Sequence, residues 1–252
     1  MTFHRLAAPF TIATVSLCCL LGACSPKDGA PAASGAAATL PNPQDPQSVQ
    51  QAQQAAHAAT LPQPDKGVAL DQYVAIKSGE ALMYLFYGIS KMPPDMNSVA
   101  EQISADYRVS NDQFKRQDML KVLTPRIQAN IAEQGQHRYV TWDVEGDVLD
   151  HYDFTAKRFP IKPAYWNGNS RFFWNDLPQY QISFSAPNAL HDLPVADEGL
   201  AREMEGMVSQ FHPLRMKIFA FVQDADLNSK TLNAVITHVE LSDRTGRLLV
   251  KQ

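Results

Sequence analysis

Apolar and polar positions divide this chain into three stretches of unlike pattern. Residues 6–21 carry no charged side chain and follow a short leader with His4 and Arg5. At about sixteen residues the run is shorter than the roughly twenty a helix needs to cross a hydrocarbon core. Its length and the small residues at its end predict an export signal. Over residues 25–66 Ala, Pro, Gln, Gly and Ser dominate, with almost no aromatic or β-branched side chains. Such a segment buries too little apolar surface to offset the entropy of ordering it, which predicts a disordered tether spanning roughly 35 Å root-mean-square. Residues 47–59 are Ala- and Gln-rich but lack a continuous apolar face, so they count as tether. Periodic patterning starts near Val68.

The first periodic run is helical. Leu82, Met83, Tyr84, Leu85, Phe86 and Tyr87 stand in near succession, apolar on every side, and predict a buried helix over residues 80–90. Met92, Pro93 and Pro94 end it, because proline cannot donate into a helical ladder and restricts the residue before it. Ser98 and Glu101 have capping-box spacing, which predicts a second helix with Val99, Ile103 and Tyr107 facing inward. The run from Ser110 to Gln113 repeats that spacing and opens a third helix, with Phe114, Leu120, Leu123, Ile127 and Ile131 at helical intervals, a kink at Pro125 and an end near Gly135.

After Gly135 the period changes to two. Val140, Trp142 and Val144 alternate with polar neighbours, and residues 148–154 continue extended beyond Gly146. Tyr180, Ile182, Phe184 and Ala186 alternate in the same way, as a half-buried antiparallel strand does. One more helix interrupts, with Leu200, Met204, Met207, Val208 and Phe211 on one stripe before His212 and Pro213. Strands over residues 214–222, 231–241 and 247–250, joined by turn-forming connections, predict an antiparallel meander. The fold class is therefore α+β: N-terminal helices followed by an antiparallel β-sheet with one further packed helix, in a single domain over residues 68–252.

Charge changes the picture only by exclusion. The chain has 22 Lys plus Arg against 26 Asp plus Glu, a net charge of −4. A mildly acidic chain without a basic stripe points away from nucleic acid as a partner and away from electrostatic membrane binding. Cys18 and Cys19 fall inside the apolar run and Cys24 just after it. A domain without disulfides must be held by its core, and one of this length can bury ~70% of its unfolded surface.

Leu21, Gly22, Ala23 and Cys24 close the apolar run immediately before the composition turns polar. The four resemble the lipobox of bacterial lipoproteins. The resemblance implies a signal peptide at residues 1–23, a diacylglyceryl thioether on Cys24, cleavage before it, and acylation of the new amino group. Two or three acyl chains, each worth ~0.8 kcal/mol per buried methylene, make such an anchor close to permanent. By the same resemblance Ser25, where an Asp tends to retain such proteins in the inner membrane, implies the outer membrane of a diderm bacterium, facing the periplasm. The plainer reading is a conventional signal peptide cut at an Ala-x-Ala-like site, with Cys24 an ordinary cysteine.

Chemistry is harder to find. Asp224, Asp226 and Asn228 have the start of a calcium-loop spacing, but Ser229 stands where that loop needs Gly and Val235 where it needs Glu, so a polar hairpin is expected. Asp143, Glu145, Asp147, Asp150 and Asp153 gather around Gly146 and invite a reading as acid/base carboxylates. Period two also yields three of them on one solvated strand face. No His-x-x-x-His pair, Gly-x-Ser-x-Gly elbow or phosphate-cradling glycine loop is present. No metal, cofactor or catalytic residue is predicted. The segment from Tyr165 to Asp176 concentrates aromatic rings and hydrogen-bonding groups around Asn167 and Gly168. Trp166, Asn169, Arg171 and Trp174 are the binding residues this predicts, as stacking area plus orienting polar groups suit a glycan or peptide. The bland reading makes the same rings core or loop anchors.

Over residues 70–252 the chain also resembles a family of uncharacterised bacterial exported proteins. The likeness lies in the run from Gly79 to Tyr87, Asp112 with Phe114, Tyr152-Asp153-Phe154, and Gly246-Arg247-Leu248. That family implies a domain extent and no activity. Together these readings predict a lipid-anchored envelope protein that binds or assists an envelope protein or cell-wall glycan without catalysis. The alternative is an envelope hydrolase that uses the carboxylate cluster.

Overall fold

The helix predicted from the run of Leu, Met and aromatic residues forms at Gly79–Ser90 (α1), with Leu82 to Ile89 all buried. This is a computed structural model that describes residues 59–65 and 67–252, with residues 49 and 56 beyond them. Cys24, the apolar run and most of the predicted tether lie outside the described residues. Ser78 caps α1, its hydroxyl accepting from Ala81 N at 3.1 Å, and Lys91 ends it in the left-handed conformation. Contacts with the domain begin before Val68. Asp65 N donates to the Tyr139 hydroxyl at 2.8 Å, and Gln223 Nε2 donates to the Pro62 carbonyl at 3.2 Å.

The next helices start elsewhere than the Ser-based boxes predict, one earlier and one later. Asp95 caps Met96–Ile103 (α2) and Asp112 caps Gln113–Gln134 (α4), each carboxylate accepting first-turn N–H groups. Aspartate caps as well as serine; Asp95 stands three residues before Ser98, and Asp112 two residues after Ser110. Ser104 breaks the predicted second helix and caps a separate turn, Ala105–Val109 (α3), by accepting from Tyr107 N. Helix α4 runs through Pro125, which stands on the exposed side where no packing opposes it. Helices α1 and α4 touch where two glycines meet: a Cβ on Gly88 would lie 2.3 Å from Gly135 Cα.

Eight strands follow one order of pairing. Val74–Ala75 (β1), Tyr139–Gly146 (β2), Gln181–Ser185 (β4), Leu214–Asp226 (β6), Thr231–Ser242 (β7) and Leu248–Lys251 (β8) form one sheet in the order β1-β2-β6-β7-β4, with β8 also on β7. The predicted β6-β7-β8 meander is present. The sheet as a whole is mixed rather than antiparallel, because β1 runs parallel to β2 and β4 parallel to β7. Alternation marks which face of β4 is buried and carries no information about the direction of its neighbour, so the parallel pairing was not readable from the pattern. Arg158–Pro160 (β3) and Asp192–Pro194 (β5) make a separate two-stranded ladder. The extended stretch predicted after Gly146 is held only by bridges at Leu149 and Asp153.

Helix α1 lies against β6 on one face, over Val140, Ile218, Ala220 and Val222. The other face carries its own aromatic cluster: Tyr73 meets Tyr139, Phe219 and His238 edge-on, and its hydroxyl bonds Thr237 at 2.9 Å. That second layer explains why β6 changes from alternating burial to continuous burial over residues 218–222. Glu198–Ser209 (α5) buries Ala201 and Met204.

The glycine crossing generates a stability test. Gly88→Ala must push α1 and α4 apart and is expected to cost about 1–3 kcal/mol. Gly206→Ala, which meets no atom within 4 Å in mid-helix, should stabilise by up to about 1 kcal/mol. Urea unfolding of both variants checks the pair, and equal midpoints would remove the close crossing as a constraint. Asp243 gives a second test. Its carboxylate accepts from the Thr245 hydroxyl at 2.6 Å, from Arg247 Nε, and from the Arg247 and Thr245 N–H groups. The Thr245 hydroxyl first, then Arg247, hold it far below the usual carboxylate range against the opposing effect of burial. A depressed native pKa stabilises above the unfolded value and the contribution is lost as pH falls. Asp243→Asn should therefore lower the thermal midpoint at pH 7, with the gap to wild type narrowing below about pH 4.

Candidate functional site

The residues predicted to bind are each taken up by the fold. Segment 166–172 runs along the outer edge of β4, bridging Asn167 to Ser185 and Phe172 to Ile182. Gly168, at φ +76°, turns the chain so that its N–H donates to Phe184 O and its carbonyl accepts from the Ser183 hydroxyl. Trp166 is half-buried; its Nε1 donates to Ile161 O at 2.8 Å and its ring stacks on His191 at 3.6 Å. Trp174, 36% exposed, rests on the buried Trp142 at 5.5 Å. Asn169 N donates to Asn167 Oδ1, and Arg171 turns back to donate to the carbonyls of Gly168 and Ser170. The two tryptophans thus have different partners, the Arg171 side chain serves its own loop, and Asn169 does so through its backbone. Asp176, at the end of the segment, accepts from Gly79 N at 2.9 and 3.0 Å and from Glu80 N, which fastens the loop to the start of α1.

The acidic residues are spread out. Glu145 pairs with Arg215 at 3.2 Å, Asp147 pairs with Lys162, Asp143 stands in register with Lys217, and Asp150 faces solvent. The Asp153 carboxylate is consumed by its own turn, accepting from Thr155 N and Ala156 N, bonds that lower its pKa. Asp226 likewise accepts from Asn228 N and the Ser229 hydroxyl, as a polar hairpin does. Among the described residues no group of three or more His, Cys, Asp or Glu could hold a metal.

A cavity of about 270 Å³ opens elsewhere, between α5 and the turn that links Asp153 to Arg158. Tyr152, Phe154 and Lys157 line one side; Glu198, Ala201, Arg202 and Glu205 line the other. The turn is closed by reciprocal backbone bonds between Asp153 and Arg158. Lys157 adopts φ +52°, a conformation that costs a non-glycine residue of order 1 kcal/mol, and its carbonyl thereby receives Val195 N at 3.0 Å. Phe154, 80% exposed, is held edge-on by Tyr152 at 5.2 Å, and the Tyr152 hydroxyl donates to Val195 O. Across the cavity Glu205 accepts from Tyr152 N at 2.9 Å and from the Ser209 hydroxyl, and bonds His151 Nδ1 at 2.7 Å. Burial alone would raise its pKa, but these bonds outweigh it and hold the carboxyl below the usual range. Among the described residues Lys157 and Arg202 enter no ion pair.

The amphipathic reading of α5 passed over this place, because Glu198, Arg202 and Glu205 lie opposite the apolar stripe and read as solvent-facing. The available signal was a phenylalanine beside a turn-forming aspartate.

The chain is thus an α+β domain with helices on one face of a mixed sheet and a small open cavity beneath its last helix. Residues 101–203 match the family described as a domain of unknown function, DUF4852. The match takes in Asp112 with Phe114 and Tyr152-Asp153-Phe154, and so the turn that walls the cavity. No curated protein and no solved structure matches the chain.

Anchoring and recognition differ in thermal stability. Trp166→Phe, which deletes the bond to Ile161 O, should lower the midpoint by about 2–4 °C. Arg171→Ala should leave it within about 1 °C. Calorimetry of the full chain decides, and a Trp166→Phe midpoint equal to wild type would remove the anchoring role.

Proposed function

We infer that the chain is a lipid-anchored, non-catalytic binding module of the bacterial cell envelope, held at the outer membrane through Cys24 and facing the periplasm. Its recognition face is the α5 cavity rather than the Trp166 to Trp174 segment. The observation that carries the binding role is the combination at that cavity: a largely exposed Phe154 beside two cations without ionic partners, on a turn stiffened by Asp153 and Lys157. An exposed aromatic ring held edge-on beside a concave surface offers a partner apolar area to bury at little cost in side-chain entropy. The anchor is supported by Leu21, Gly22, Ala23 and Cys24 standing at the junction of apolar and polar composition. The partner is an envelope protein or a cell-wall component within reach of the tether.

Two measurements separate the halves of this reading. Metabolic labelling with a fatty-acid analogue should mark wild type and leave Cys24→Ala unlabelled; label on both would end the anchor. Crosslinking in intact envelopes should recover a partner with wild type and with Trp174→Ala, and lose it with Phe154→Ala. Unchanged recovery with Phe154→Ala would move the recognition face away from α5.

A further inference from the structure

The α5 cavity also says what its ligand looks like. Resting on the reading of that face as the recognition site, we propose that it takes an apolar side chain that carries a carboxylate, the chemistry of a peptide C-terminus. Volume sets the first limit. About 270 Å³ lies just below the usual range for ligand pockets, room for one side chain and its terminal group and too little for an oligosaccharide. The wall facing it is the Phe154 ring with Tyr152 beside it, and Ala201 forms a small apolar floor, so the part of the ligand that enters is apolar.

Charge sets the second limit. Of the two acids at the cavity, Glu205 has both oxygens engaged: Oε1 by His151 and Ser209, Oε2 by Tyr152 N. Glu205 keeps its charge, but with its acceptors taken only Glu198, one helical turn from Arg202, is left to compete for the donors of Arg202 and Lys157. The cations stand on opposite walls of the cavity, one on the helix and one on the turn. An anionic group between them gains a guanidinium that offers paired donors and an ammonium that adds a point charge. A cationic ligand would meet both, and a neutral glycan would leave both unused. The strained Lys157 backbone, fixed through its carbonyl to Val195 N, holds its wall in place before binding, which lowers the entropy lost on association.

The probes are N-acetylphenylalanine, its amide, and the acid of acetyl-Ala-Ala-Ala-Phe, titrated calorimetrically into the full chain in detergent. Both acids should bind wild type and the amide at least tenfold more weakly. A peptide acid that binds more tightly than N-acetylphenylalanine makes a polypeptide terminus the source, and equal binding makes it a small free acid; each supports the carboxylate. Arg202→Gln, at an exposed position, should bring acid and amide together while apolar binding persists. Phe154→Ala should lose both. If wild type holds acid and amide equally, or binds neither acid, the carboxylate proposal is overturned. If Phe154→Ala binds as wild type does, with an unchanged circular dichroism spectrum, the α5 recognition face itself fails.

Discussion

The rest of the fold depends on sheathing α1. A helix that is apolar all round has no side to give to water, so it requires a layer on every flank. The sheet supplies one through β6, and α4 supplies another by approaching closely enough that only glycine fits at residues 88 and 135. The third comes from the loop before β4. Leu177 and Tyr180 are buried there, the Tyr180 hydroxyl donates to that of Tyr87 at 3.1 Å, and Asp176 caps the helix. Burial and this hydrogen bond to Tyr87 raise the Tyr180 pKa far above its ordinary value, so Tyr180 stays neutral at any physiological pH. The aromatic segment at residues 165–176 is therefore tied down at both ends, on β4 and on α1.

That division explains what the sequence made legible. Periodicity reports burial, and wherever burial settles the element the reading holds: α1, the alternation of β2, and the β6-β7-β8 meander. Periodicity does not report direction or partner. β4 alternates cleanly but pairs in parallel, and Ser183 on its second face is buried because the Gly168 loop folds over it. Helix starts were shifted because Asp95 and Asp112 cap in place of Ser98 and Ser110, a local contest that spacing alone cannot rank.

The α5 cavity escaped the sequence reading for a related reason. Aromatic density in the sequence measures how much hydrophobic area a segment can bury, which a sheath and a binding face need alike. Position decides between them. Trp166 has its ring nitrogen bonded and its face on His191, whereas Phe154 presents most of its surface to solvent on a turn that Asp153 and Lys157 hold rigid. A lone Phe154 carries less sequence signal than the five aromatic rings from Tyr165 to Trp174, and one of the two cations at its site, Arg202, lies on another element more than forty residues away.

A cavity this small can bind only weakly by itself. A ligand of a dozen or so heavy atoms at about 0.3 kcal/mol each gains roughly 4 kcal/mol, a dissociation constant near 1 mM. On the proposed lipid tether that weakness is no obstacle. On that proposal the roughly 35 Å span expected of the tether would confine the domain to a thin layer over the membrane, where effective concentrations reach the millimolar range. The affinity available at the α5 face then matches the concentration at which a neighbouring envelope component presents its terminus. On that proposal binding would be half-occupied, quickly reversible, and lost when the domain leaves the membrane. The tether and the small charged cavity thus account for each other: the first supplies the concentration that the second is too small to do without.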